Sequence, residues 1–178
     1  ARDNEFDVII VGDGITGAGT ARDCALRGLK VLLIERHDLA TGATGRNHGL
    51  LHSGARYAVT DRESAEECIK ENMILRKIAR HCVEETEGLF LTLPEDDLGY
   101  QAKFVESCLA AGINAEIIDP KEALLMEPSA NPDIIGAVKV PDGAVDPFRL
   151  TSANVIDAKL HGAKVLVYSE VTNLIKDG

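Results

Sequence analysis

No stretch of this sequence approaches the roughly eighteen consecutive apolar residues that a bilayer-crossing helix needs, and its first residues carry no signal-peptide pattern. Any membrane attachment is therefore expected to come from outside the chain. Positive charge is scarce: 19 Lys and Arg stand against 29 Asp and Glu, a formal net charge of −10, which disfavours non-specific nucleic-acid binding. Cys24, Cys68, Cys82 and Cys108 form no CxxC pair, and no histidine stands at ligand spacing from them. They read as core thiols in a reducing compartment, and no metal centre is expected. Internal repeats and low-complexity linkers are missing too. What remains, 45% hydrophobic and 27% charged over 178 residues, is a globular profile able to bury one core, or one domain with part of another.

The informative segment is Phe6 to Glu35. Phe6 to Val11 is a short apolar run, as expected of a parallel strand buried on both faces. Gly12, Gly14 and Gly17 follow in GxGxxG spacing. The first permits a tight turn, the second lets a pyrophosphate approach the backbone, and the third lets the next helix pack close. That helix runs from Gly14 to Arg27, carries Thr16 in its first turn, and presents free amides and a partial positive charge at its start. Gly28 is its expected stop. Lys30 to Ile34 forms a second strand, and Glu35 stands where an acid accepts hydrogen bonds from an adenosine ribose. Strand, helix, strand and acid in register predict a nucleotide-binding βαβ unit.

Residues 36 to 57 are too rich in glycine and small polar residues for a regular helix and read as an ordered binding loop. Asp61 to Glu85 shows Ala65, Cys68, Ile69, Leu75, Ile78, Ala79 and Cys82 at helical spacing, predicting a long amphipathic helix capped by Asp61. Leu89 to Leu93 reads as a strand, Leu98 to Ala111 as a helix, and Ala115 to Ile118 as a strand. Asp119-Pro120 opens a short helix to Met126. Ile134 to Val140 is expected as a strand, and Asp146-Pro147 opens a helix to His161. Lys164 to Tyr168 and Val171 to Ile175 close the sequence as strands. Asp177-Gly178 after them is a hairpin signal without its returning strand, so the chain reads as the N-terminal part of a longer protein.

The segments from Gly12 to Glu35, from Ala40 to Tyr57 and from Val140 to Leu150 together resemble the FAD-dependent glycerol-3-phosphate dehydrogenases, particularly their bacterial anaerobic, membrane-associated branch. The resemblance covers essentially the whole chain, and the loop from Thr41 to Tyr57 is its most specific part. It implies an α/β, glutathione-reductase-like, Rossmann-type FAD domain, truncated here, with part of an inserted α+β substrate domain. Residues 1–87 and 144–178 would belong to the FAD domain, and 88–143 would begin the insert. It further implies Gly12, Gly14, Thr16 and Gly17 at the FAD diphosphate and Glu35 with Arg36 at the adenosine ribose. Thr44 and Gly45 would lie along the diphosphate and ribityl chain, Arg46, Gly49 and Leu50 toward the flavin, and Val171 at the adenine edge.

His52, Arg56 and Tyr57 would face the substrate, sn-glycerol 3-phosphate. An arginine binds phosphate through two parallel hydrogen bonds, which suits Arg56, and an imidazole can accept the C2 hydroxyl proton, which suits His52. His48 and His52 also read as loop histidines satisfied by backbone groups, and Arg149 as part of the packing where its helix starts. The implied reaction yields dihydroxyacetone phosphate and passes electrons toward quinone. The implied setting is cytoplasmic, peripheral on the inner membrane face through partner subunits. An amine or 2-hydroxyacid oxidase on the same scaffold stays open, as does a non-catalytic nucleotide-binding module. One residue departs from the pattern: Asp13 stands where such enzymes carry glycine, and a carboxylate beside a pyrophosphate is unfavourable unless it points to solvent.

Overall fold

The computed structural model describes residues 5–176. In chain order its elements begin with β1 (Val8–Val11), α1 (Ile15–Leu26), β2 (Val31–Ile34), β3 (Leu50–Leu51), α2 (Arg62–Ile78), β4 (Val83–Glu84) and β5 (Gly88–Thr92). They continue with α3 (Tyr100–Ala110), β6 (Glu116–Ile118), α4 (Pro120–Met126), β7 (Gly136–Val140), β8 (Gly143–Val145), α5 (Pro147–Leu160) and β9 (Lys164–Leu166). The chain forms two compact units, one running to Gly49 and resuming at Asp146, the other Leu50–Val145.

The first unit is the α/β one. Its sheet has the order β1-β2-β9 with both pairings parallel, Val8 opposite Val31 and Leu32 opposite Lys164. Helices α1 and α5 pack together against it, and the small residues Ala18, Ala21, Ala25 and Ala158 let them do so closely around Val31, Leu33 and Val155. Arg22 and Asp157 join the two helices in an ion pair. Gly28 ends α1 with φ +80°, a conformation open to glycine at little cost. Contrary to the sequence expectation, β1 is not buried on both faces: Ile9 is 58% and Val11 63% exposed. Both helices lie on the opposite face, where the buried Val31 and Leu33 point.

The second unit is α+β. Strands β5, β7 and β6 form an antiparallel sheet in the order β5-β7-β6, with Phe90 opposite Val138 and Ile117 sharing that same partner. Phe104 and Cys108 of α3, Ala65 and Ile69 of α2, and Ile113 pack with Val138 and Val140 as the main core. A smaller cluster of Ile118, Ala123, Ile134 and Ala137 lies under α4. A separate three-strand ladder has the order β3-β8-β4. The chain passes from the first compact unit to the second at Gly49 and Leu50, where β3 and β4 both pair with Gly143–Val145.

Two expected elements differ. The Asp61-capped helix ends at Ile78 instead of Glu85, since Val83 and Glu84 leave it to pair with β8. Cys82 is therefore a buried loop residue, while Cys68 is half-buried on α2. Residues 171–175 form no strand. The hairpin signal at Asp177-Gly178 lies outside the described residues. No disulfide joins the four cysteines, and among the described residues no helix is long and apolar enough to cross a membrane.

Candidate functional site

Strand β1 delivers the chain to Gly12, where φ is +105°, and the Gly12 amide donates to Ile34 O at 2.8 Å. The turn is thereby fixed against the end of β2. A Cβ on Gly17 would lie 1.9 Å from Gly12 O, so only glycine lets α1 begin this close to the strand. Gly14 occupies the N-cap and offers no side chain to the helix. Helix geometry then leaves the amides of Thr16 and Gly17 without intrahelical acceptors, at the positive end of the helix dipole. Thr44 comes in from the following loop, its Oγ1 accepting the Ile15 amide at 3.1 Å.

Glu35 stands at the end of β2 and accepts the Asp13 amide at 2.9 Å through Oε2 and the His37 amide at 2.8 Å through Oε1. These two hydrogen bonds, and the charges of His37 and Arg36, hold its carboxyl below the usual range. It is a fixed, ionised acceptor with lone pairs to spare. A cleft of about 390 Å³ is walled by Gly12, Glu35, Arg36, Ser169, Glu170 and Val171. Val171 reaches it without being in a strand, because the Tyr168 and Ser169 amides donate to His37 O and Glu35 O at 2.9 and 2.8 Å. Beside it, Arg46 shares a hollow of about 270 Å³ with Glu35, Arg36, Thr41 and Gly42.

Gly45 has a packing reason: a Cβ there would meet Ala40 O at 2.3 Å and the Phe148 ring at 2.8 Å. The Gly49 amide donates to Asn47 Oδ1 at 2.7 Å. Leu50 belongs to the second unit, paired with Ala144. Asp13 does not point to solvent. Its side chain is fully buried, at 0% exposure, because its main chain is held on both sides: the amide donates to Glu35 and the carbonyl accepts the Ala40 amide at 2.9 Å.

In the second unit, Arg56 and Tyr57 lie in a short 3-10 turn, Ala55–Tyr57. The Arg56 guanidinium sits 5.4 Å from the centre of the Tyr57 ring, a cation–π contact. The exposed Arg56 walls a cleft of about 510 Å³ together with Phe90, Thr92, Asp96, Tyr100 and Gln101. Neither His52 nor Tyr57 is among that cleft's described walls.

The sequence reading missed what holds this segment. Asn72, 1% exposed, donates through Nδ2 to Leu51 O at 3.1 Å, His52 O at 3.0 Å and Pro141 O at 3.3 Å. Arg76 donates to Asn72 Oδ1 at 2.7 Å and to the carbonyls of Pro141 and Asp142 at 2.9 Å. Asp142 accepts the Ser53 amide at 2.7 Å. The signal was present: Asn72 and Arg76 continue the stripe of Ala65 and Ile69 along α2, where apolar residues are expected.

The family model of FAD dependent oxidoreductases (DAO) matches residues 7–178. One subunit of the anaerobic glycerol-3-phosphate dehydrogenase of Escherichia coli (strain K12) is 72% identical over 172 residues, 97% of this chain and 32% of that protein. The chain thus spans about a third of the length of the curated relatives it matches. Among solved structures, L-proline dehydrogenase from P. horikoshii aligns with a TM-score of 0.82 at 26% identity, over 96% of this chain and 46% of that one. L-alpha-glycerophosphate oxidase from Mycoplasma pneumoniae, solved with FAD bound, aligns with a TM-score of 0.78 at 25% identity, over 94% and 46%. The matched span runs from the strand that opens the glycine turn through the segment that walls its cleft, and the chain belongs to the FAD dependent oxidoreductases.

Proposed function

We propose that this chain supplies the adenosine and diphosphate half of an FAD site, plus a substrate-binding segment, in an enzyme that oxidises sn-glycerol 3-phosphate to dihydroxyacetone phosphate. The likeness to the anaerobic glycerol-3-phosphate dehydrogenase sequences over almost the whole chain carries this reading. The fit of the cofactor rests on the donors described above. The gap between Gly12 and Gly17 admits no Cβ, the start of α1 offers the Thr16 and Gly17 amides to a diphosphate, and Glu35 is an ionised acceptor for ribose hydroxyls. The Val171 backbone is assigned to the adenine edge, and Arg46, Gly49 and Leu50 to the flavin side.

When bound, FAD supplies a two-electron acceptor for the hydride at substrate C2. The chain's own residues do the rest. Arg56 binds the substrate phosphate as a fixed cation, Tyr57 backs its guanidinium, and His52 takes the proton from the C2 hydroxyl. The Asn72 and Arg76 network keeps the backbone of residues 51–53 in place. In the complete protein we assign residues 1–87 and 144–178 to the FAD domain and 88–143 to the start of a substrate domain. Partner subunits would carry the electrons on toward quinone and hold the enzyme at the membrane. The likeness to L-proline dehydrogenase favours an amine substrate as the second reading.

The test is anaerobic. The complete polypeptide is reconstituted with FAD and flavin absorbance followed on adding sn-glycerol 3-phosphate, glycine, proline or a 2-hydroxyacid. Bleaching by the phosphate alone is expected, and Arg56→Ala should raise the phosphate's KM about a hundredfold, as for loss of a charge-assisted pair worth about 3 kcal/mol. Bleaching by an amine instead would move the assignment to the second reading.

A further inference from the structure

Asp13 lies between the two glycines that line the turn, and the reaction gives it no task. Both its carboxyl oxygens are buried with no hydrogen-bond partner. Such a group is ordinarily paired or else resists ionising. It has no easy way out, because its amide is tied to Glu35 Oε2 and its carbonyl to the Ala40 amide. Ala40 is itself in the left-handed region at φ 58°, so the backbone there is already constrained.

The charges around it are mostly of its own sign. Glu35 faces it from the end of β2 and Asp38 from the loop beyond, and both act to keep it protonated. Tyr168 donates to Asp38 at 3.2 Å and leaves that carboxylate charged. The nearby basic residues, Arg36 and His37, act on Glu35. Burial and these two acids push the Asp13 carboxyl up to about 6. In this state the group is largely ionised at neutral pH. A diphosphate held at the turn would add like charge on the same small segment, with little water between to screen it.

We propose that capture of FAD by this turn is coupled to uptake of one proton on Asp13. The inference rests on the FAD reading above and adds a pH dependence to it. The linkage has a definite sign. Below the carboxyl's range in the free protein, Asp13 is neutral with or without FAD and affinity is full. Above that range the free protein must gain a proton to bind, so affinity falls as pH rises, at a limiting slope of about tenfold per pH unit. It levels off only where the bound form also ionises. Turns of this kind that carry glycine at the position have no such group to titrate.

The experiment uses the complete polypeptide stripped of flavin. FAD affinity is measured by fluorescence titration from about pH 5.5 to about pH 8.5 for the parent, Asp13→Asn and Asp13→Gly, and proton uptake is counted near neutral pH by calorimetry in two buffers of different ionisation heat. The expected result is a parent Kd that rises about tenfold or more across that range, with fractional proton uptake, while both neutral variants bind with a nearly flat profile and no uptake. Saturable FAD binding with the same pH profile in all three would overturn the proton coupling and leave the FAD reading standing. No saturable FAD binding by any of the three, with circular dichroism showing folded protein, would overturn both.

Discussion

Gly17 and Asp13 lie four residues apart and are constrained for opposite reasons. At Gly17 there is no room: any side chain overlaps Gly12 O, a backbone atom that cannot rotate away. Gly17→Ala should displace α1 from the turn, costing about 1–3 kcal/mol of stability as an overpacking change does and abolishing FAD retention on gel filtration. A variant that keeps its flavin would show that the turn relaxes. At Asp13 the side chain is accommodated but its carboxyl has no partner. Its folded-state carboxyl is raised from 3.8 to about 6, so the stability sign is clear. Below the unfolded value the group is neutral in both states; between the two values only the unfolded chain ionises and stability is lost; above about 6 the full loss remains. Comparing urea unfolding of Asp13→Asn with the parent, the difference should shift in the variant's favour by about 2–3 kcal/mol between about pH 4 and about pH 8. The glycines could be read from their spacing alone. The direction of the Asp13 side chain could not, because it depends on the Glu35 and Ala40 hydrogen bonds, which join residues 22 and 27 positions further along.

Among the elements, α2 carries most of the second unit's organisation and was the most misleading. Its start was legible because Asp61 accepts the Ser64 amide as a capping residue should. The caps at Asp119 and Asp146, each followed by proline, located α4 and α5 in the same way. Its end was not legible, since Ala79 and Cys82 keep a helical period while Val83 and Glu84 pair with β8. Two-residue strands such as β3 and β4 have no period of their own and are set by tertiary pairing. What fixes them is the Asn72 and Arg76 pair on the inner face of α2, polar residues that periodicity assigns to the core. Asn72→Ala would strip three backbone carbonyls of a buried donor. It should cost about 3 kcal/mol, less than the sum of three isolated losses because Arg76 still reaches Pro141. Urea denaturation gives the magnitude. A loss under about 0.5 kcal/mol would mean that the segment before Arg56 is held by its strand pairing alone.

At the scale of the whole chain, the sequence runs through one hydrophobic core, leaves it, and returns. The first core gathers Leu33 and Val31 with the alanines of α1 and α5; the second gathers Ile113, Val138 and Cys108. They share no residue, and the Cys108 thiol is pushed up to about 11 by burial and the Asp142 charge, which keeps it an inert member of the second core. Leu33→Ala and Ile113→Ala are therefore parallel experiments on separate packing. Each removes a fully buried side chain and should cost about 2–5 kcal/mol by leaving a cavity. Native-state hydrogen exchange on the complete polypeptide reads where the cost falls. With Leu33→Ala, amides of α1, β2 and α5 should lose protection while those of β5, β7 and α3 keep theirs; with Ile113→Ala the pattern should reverse. Equal loss in both sets from either substitution would mean that the two cores unfold as one cooperative body. The cofactor turn and the Arg56 cleft could then not be loosened separately.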